Sequence, residues 1–301
     1  MSARTVLITG GTSGLGLETV RALHGAGATV IVGTRDPAHH ESLAEELGNE
    51  RLHGFVSDIA DPEALEQRVE AMRESGLRPT DVVHAAAGGL EPVLRTLARV
   101  MTGLKKLEGA ELEKAHRAAI AELAPLVAES RDLALAVNLS GPVWLLDRLV
   151  PDLPAGGTVT FYSSLWTSFY PHPQVPIYYQ NVADSKRQME LWLEARARGW
   201  SERGITTAIL SSTWIANTRI GQVLDRFCAE VLPDAEREQW RATYVTCAEM
   251  VAATLDVMHD APGGLVRRYL QGPGRVVDHM GPDEHPMTFA AALAQHSPVW
   301  S

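Results

Sequence analysis

The stretch that decides the fold is Thr5-Val6-Leu7-Ile8-Thr9-Gly10-Gly11-Thr12-Ser13-Gly14-Leu15-Gly16. A short apolar run, Thr5 to Ile8, passes through a glycine-rich turn into a helical pattern beginning near Leu15, which reads as strand, tight turn and helix N-terminus. Glycines at 10, 14 and 16 let the backbone approach a pyrophosphate, whose charge meets free N–H groups and the positive end of the helix dipole. Thr12, Ser13 and Leu15 complete the expected phosphate loop around Gly10, Gly14 and Gly16. No lysine follows the last glycine, which excludes a triphosphate loop ending in Gly-Lys-Ser/Thr.

Composition narrows the partners. The chain has 301 residues, 45% of them hydrophobic, which is ample for a buried core. A net charge of −10 and the lack of any basic run argue against nucleic acid, whose binding rests on clustered Lys and Arg, and point to a small-molecule partner. No apolar run approaches the ~18 residues that cross a bilayer, and Met1 to Arg4 leads directly into the first strand, so a cytoplasmic protein without membrane attachment is expected. Cys228 and Cys247 lack CxxC spacing and any nearby His cluster, so neither a metal site nor a disulfide is predicted. Oligomeric state stays open.

Further along, Ala28 to Gly33 reads as a second strand, after a helix ended by Gly25 and Gly27, and Arg51 to Val56 as a third. Thr34 and Arg35 follow the second strand, where an acid would accept from an adenosine 2′-hydroxyl and an arginine can pair with a 2′-phosphate; the pair favours NADP(H) over NAD(H). Asp61 is placed to cap the next helix. Asp81 to Gly88 reads as a fourth strand and its loop, with His84 as a core histidine. Helical periodicity covers Pro92 to Met101 and Ala110 to Ala128. Gly157 to Ser164 reads as strand five, Ile220 to Leu232 and Cys247 to His259 as helices, and Leu265 to Leu270 as the last strand. The tail from Gly272 to Ser301 reads as irregular and suited to a subunit contact.

The spacing TGxxxGxG, with the segments after it, resembles the short-chain dehydrogenases/reductases from Thr5 to about Leu270. That resemblance implies an α/β Rossmann-like doubly wound parallel sheet in a single domain over residues 1–301, with a helical insertion at about 90–133 acting as a lid or an interface. It assigns Asp58, with Ile59 beside it, to the adenine, and Ala86-Ala87-Gly88 to the nicotinamide ribose. Asn138 falls in the VNxxG segment, Ser164 is the second of a double serine that binds the substrate carbonyl, with Ser163 beside it, and Asp184-Ser185-Lys186 ends a YxxSK signature. Lys186 thereby belongs to both the catalytic set and the cofactor site, and Ile215 touches the carboxamide through its backbone.

One element is missing. The family's proton donor is a tyrosine four residues before the lysine, one helical turn away, and here that position is Val182, which has no proton to give. Tyr178, Tyr179 and His172 are the alternative acids. Trp166, Tyr178, Tyr179 and Trp214 belong to an aromatic stretch suited to a flat polycyclic ligand. The long insertion, the lost tyrosine and the aromatic wall together resemble the angucyclinone ketoreductases, simocyclinone type, of actinomycete antibiotic biosynthesis. The resemblance implies NADPH-dependent reduction of a ketone on an aromatic polyketide, with a substrate phenol or enol replacing the missing acid. The rival reading is a non-catalytic NADP(H)-binding sensor.

Overall fold

A computed structural model describes residues 4–100, 102–169, 175, 177–272, 274–277 and 291. Strand β1 (Thr5–Thr9) leads to helix α1 (Gly14–Gly25), followed by β2 (Thr29–Thr34), α2 (Pro37–Leu47), β3 (Leu52–Val56), α3 (Pro62–Glu74) and β4 (Asp81–His84). Asp36 and Asp61 each cap a helix that begins with proline, so side-chain oxygens meet N–H groups that no helical carbonyl can reach. The insertion follows as α4 (Glu91–Val100) and α5 (Gly109–Leu135). A five-residue π turn, Ala136–Ser140, then passes into α6 (Gly141–Leu149). Beyond it come β5 (Thr158–Ser164), α7 (Gln180–Ser201), β6 (Thr206–Ser212), α8 (Arg219–Val231), α9 (Asp234–Arg241), α10 (Cys247–Asp260), β7 (Gly264–Leu270) and β8 (Val276–Val277).

The strands form one sheet in the order β3-β2-β1-β4-β5-β6-β7-β8, parallel throughout except for the antiparallel β7–β8 pair. Because both faces are covered by helices, the central strands read as near-continuous apolar runs. Val6, Leu7 and Ile8 are wholly buried, with Val6 and Ile8 in the core beneath α1 and α10 and Leu7 in the core beneath α3, α6 and α7. Chain order reverses across β1 and β4, the switch point where open α/β sheets bind their ligands. The short β8 lies inside the tail read as irregular, and the rest of that tail, apart from residues 272, 274, 275 and 291, falls outside the described residues.

The insertion packs on the body of the protein. Leu94, Leu97, Leu123, Val182, Leu224 and Phe227 share one buried cluster that joins α4 and α5 to α7 and α8. The long helical stretch from Gly109 to Asp152 is, by length and composition alone, apolar enough to span a membrane, and half of its most apolar window is buried inside the protein. Apolar residues interleaved with charged ones hide such a window from a reading of uninterrupted runs.

Leu123 on α5 is fully buried in this cluster. Leu123→Ala is expected to lower the unfolding free energy by about 2–5 kcal/mol, the lost transfer energy plus the cavity left behind, read as a fall in the urea midpoint at unchanged slope.

Candidate active site

The phosphate loop is built by close approach. Gly10 sits at φ 67°, and a Cβ there would lie 2.8 Å from the Ala86 backbone; a Cβ on Gly16 would lie 2.2 Å from the Gly10 carbonyl oxygen. Only hydrogen fits at either place, so the end of β1, the loop after β4 and the start of α1 converge on one crevice with the α1 N-terminus facing it. Ser13 occupies the α1 cap position without a side-chain capping bond. A dinucleotide pyrophosphate matches this cradle of backbone N–H groups, and the nicotinamide it carries would supply hydride exchange.

Arg35 and Asp58, the residues expected at an adenosine, stand together beyond the ends of β2 and β3. The Arg35 guanidinium lies 3.9 Å from the Asp58 carboxylate and is 69% exposed, while Asp58 also accepts the Ala60 N–H at 2.9 Å. Ile59 is buried beside it. Thr34 stands beside them at the end of β2. Its buried hydroxyl lies 3.1 Å from the Thr12 hydroxyl and accepts the Asp36 N–H at 3.2 Å, so it braces the loop from below.

At the other end, Asn138 sits in the π turn and ties three elements together. Its Oδ1 accepts the Gly88 N–H at 3.0 Å, while Nδ2 donates to the Gly88 carbonyl at 3.2 Å and to the Ser185 hydroxyl at 3.0 Å. The extra residue of a π turn re-aims a side chain within a continuous helix, which brings Asn138 onto the loop carrying Ala86, Ala87 and Gly88. Gly88 fits because a Cβ there would meet Val137 at 2.8 Å. Lys186 turns inward from α7, donating to the Tyr162 carbonyl at 2.8 Å with its ammonium 5.6 Å from the Phe161 ring centre. Burial lowers its pKa to about 8, and the Glu190 carboxylate offsets part of that effect.

Val182 is 3% exposed and packed in the apolar cluster, so the usual donor position is occupied by hydrocarbon. Ser164 is buried at the end of β5, where its hydroxyl accepts the Trp166 N–H at 3.3 Å and is hydrogen-bonded with the Tyr179 phenol. Tyr179 reaches it from the short 3-10 turn, Ile177–Tyr179, just before α7. Burial pushes the Tyr179 phenol above its ordinary pKa, and the Ser164 contact offsets that only in part.

Several expected positions are corrected. Ser163 does not face a substrate pocket: its hydroxyl donates to the fully buried Glu190, which also accepts from Thr167 at 2.6 Å and from Arg267 at 2.9 Å. Adjacent residues of a strand point to opposite faces, which separates the two serines. Trp166 and Tyr178 are 5% and 4% exposed inside the apolar cluster, where Tyr178 meets Phe227 edge to face, so both are core before they are pocket wall. Trp214 is half-buried and packs on Tyr244 at 5.4 Å between ring centres. The Ile215 carbonyl is engaged by the Thr218 hydroxyl at 2.9 Å, leaving the N–H of Ile215 as its group for a carboxamide. His172 lies outside the described residues.

Three residues were not singled out by sequence. Thr218 caps α8, and its methyl lies 3.8 Å from where a Gly14 Cβ would stand, so the loop after β6 closes over the phosphate loop. Glu190, one turn beyond Lys186, reads as a solvated helix charge until Arg267 on β7 is seen beside it. Tyr244 belongs to no motif.

A glycine cradle at the switch point, with Asn, Ser and Lys gathered beyond it, defines a dinucleotide-binding oxidoreductase fold. The model of the short chain dehydrogenase family matches residues 4–227, and the chain belongs to that family. It is 42% identical over 102 residues to a "Probable oxidoreductase" of Streptomyces antibioticus, a match covering 33% of this chain and 33% of that relative, so the alignment spans about a third of the relative's length. Among solved structures, a 3-ketoacyl-(acyl-carrier-protein) reductase from Brucella melitensis complexed with NADH superposes with a TM-score of 0.64 at 17% identity, covering 90% of this chain and 98% of that one. BdcA in complex with NADPH gives 0.61 at 19% identity, covering 95% and 99%.

His84 is the core histidine expected, 2% exposed, with Nδ1 2.7 Å from the Thr9 hydroxyl and its ring stacked on Phe161. Burial, with Lys186 adding to it, drives its pKa from 6.5 down to about 3. Between those values the unfolded chain binds a proton that the folded protein does not, so this contribution to stability is full above pH 6.5 and is lost as pH falls toward 3. His84→Phe should flatten the decline of Tm between about pH 6.5 and 4.5; an unchanged slope would remove His84 from the acid limb.

Proposed function

We propose that the protein is an NADP(H)-dependent ketoreductase that reduces a ketone on a polycyclic aromatic polyketide of angucyclinone type in antibiotic biosynthesis, with the proton supplied by the substrate itself. The observation that carries this reading is Val182, buried one helical turn before an otherwise intact Lys186, Asn138 and Ser164. NADPH, when bound, supplies hydride to the carbonyl carbon. Ser164 orients the carbonyl oxygen, Asn138 holds the Gly88 loop beneath the ribose, and the Lys186 ammonium stands by on α7. As the oxygen becomes an alkoxide it takes the proton of a neighbouring phenol or enol on the same molecule, and water later returns a proton to that phenolate.

Support for the cofactor comes from Arg35, an exposed guanidinium beside Asp58 with no acid at position 34. The solved relatives include one holding NADPH and one holding NADH, so the fold alone allows either. Arg35→Ala should raise KM for NADPH on the order of tenfold and leave KM for NADH nearly unchanged, measured by cofactor oxidation with an aromatic ketone.

A second reading rests on the Tyr179–Ser164 hydrogen bond, which would let Tyr179 act as the acid from an unusual position. Against it, burial makes that phenol a weaker acid. Tyr179→Phe is therefore expected to keep most of kcat, and methylating the substrate phenol beside the ketone to abolish turnover. A loss on the order of a hundredfold in Tyr179→Phe, with the methylated substrate still reduced, would transfer the role to Tyr179. Failure to oxidise NADPH with any aromatic polyketide ketone would instead favour the sensor reading.

A further inference from the structure

Tyr244 lies on the turn between α9 and α10 and is 9% exposed. Its ring packs against Trp214 with centres 5.4 Å apart and planes tilted by 58°. The two are held by backbone: the Val245 N–H donates to the Trp214 carbonyl at 2.9 Å and the Ala216 N–H to the Val245 carbonyl at 2.9 Å, a parallel bridge outside the main sheet. This bridge locks Tyr244 to the loop that closes over the phosphate cradle. Within electrostatic reach of its hydroxyl lie the Cys228 thiol, the Asp225–Arg237 ion pair of α8 and α9, and the Tyr178 phenol, next in sequence to Tyr179 on Ser164.

The Tyr244 hydroxyl oxygen is buried, and its one polar partner among the described residues is the Cys228 thiol. A thiol is a weak partner, and a buried phenol without a good one costs about 1–3 kcal/mol. Phenylalanine would fill the same volume without that cost, so stability alone does not account for the hydroxyl. Its surroundings include the Trp214 ring in contact and the Tyr178 phenol within electrostatic reach, aromatic groups of the kind that hold a flat molecule.

We infer that Tyr244 and Trp214 form a recognition element for the distal rings of the substrate, in which Trp214 packs on the ring system and the Tyr244 hydroxyl donates to an oxygen remote from the reacting carbonyl. The inference rests on the aromatic-ketone reading above. It makes ring oxygenation far from the ketone part of substrate choice, because a site holding a buried donor penalises ligands that leave it unpaired.

The test is calorimetric binding of 1,8-dihydroxyanthraquinone to the full chain loaded with NADP+, with thermal unfolding of the same proteins measured without the quinone. Tyr244→Phe should weaken binding about five- to tenfold while leaving Tm equal or higher, since it deletes a buried hydroxyl whose partner is a weak one, a thiol. Trp214→Ala should weaken it further. Unchanged affinity in Tyr244→Phe overturns the inference, and so does weaker binding accompanied by a markedly lower Tm, which would make the hydroxyl a structural one. Because binding is read without turnover, failure of the reductase reading appears separately, as absent NADPH oxidation with tight quinone binding retained.

Discussion

Everything at the functional end of this molecule depends on two missing methyl groups. Side chains at Gly10 and Gly16 would sit 2.8 Å from Ala86 and 2.2 Å from the Gly10 carbonyl, distances no real Cβ contact tolerates. Their absence lets β1, α1 and the loop after β4 meet at the switch point of the sheet. Once they meet, Thr12 can rest on Thr34, Thr218 can close against Gly14, and Gly88 lies within reach of Asn138. The cofactor cradle and the catalytic face are thus two sides of one steric constraint.

Much of this was legible in the sequence because its causes are local. Strands buried on both faces appear as unbroken apolar runs, and proline after aspartate marks the starts of α2 and α3. The gap at Val182 is legible for the same reason, since one turn of helix fixes the distance from Lys186. What escaped depends on partners far away in the chain. Glu190 looks like a surface charge until Arg267, on the far side of β6, pairs with it. Ser163 loses its expected place to that same carboxylate. Tyr244 takes its position from a short turn with no periodicity to announce it, and the π turn that aims Asn138 differs from plain helix by a single residue.

The insertion and helix α7 share one apolar cluster. Trp166, Tyr178 and Val182 lie in the same buried assembly as Leu94, Leu97 and Leu123, so the position of the family's proton donor is held by the insertion as much as by the sheet. A charged or hydrated proton relay in that place would have to pay desolvation. The hydrocarbon side chain at Val182 suits this surrounding.

Helix α5 has a mechanical consequence. It runs 27 residues from the tip of the insertion to the π turn at Asn138, a rod about 40 Å long at 1.5 Å per residue. Its far end belongs to the insertion and its near end adjoins Asn138. A displacement of the insertion would therefore act on the asparagine that grips Gly88, unless the rod bends at Pro125, the proline in its interior. The insertion and the Gly88 loop are two ends of one lever, and its fulcrum is a proline.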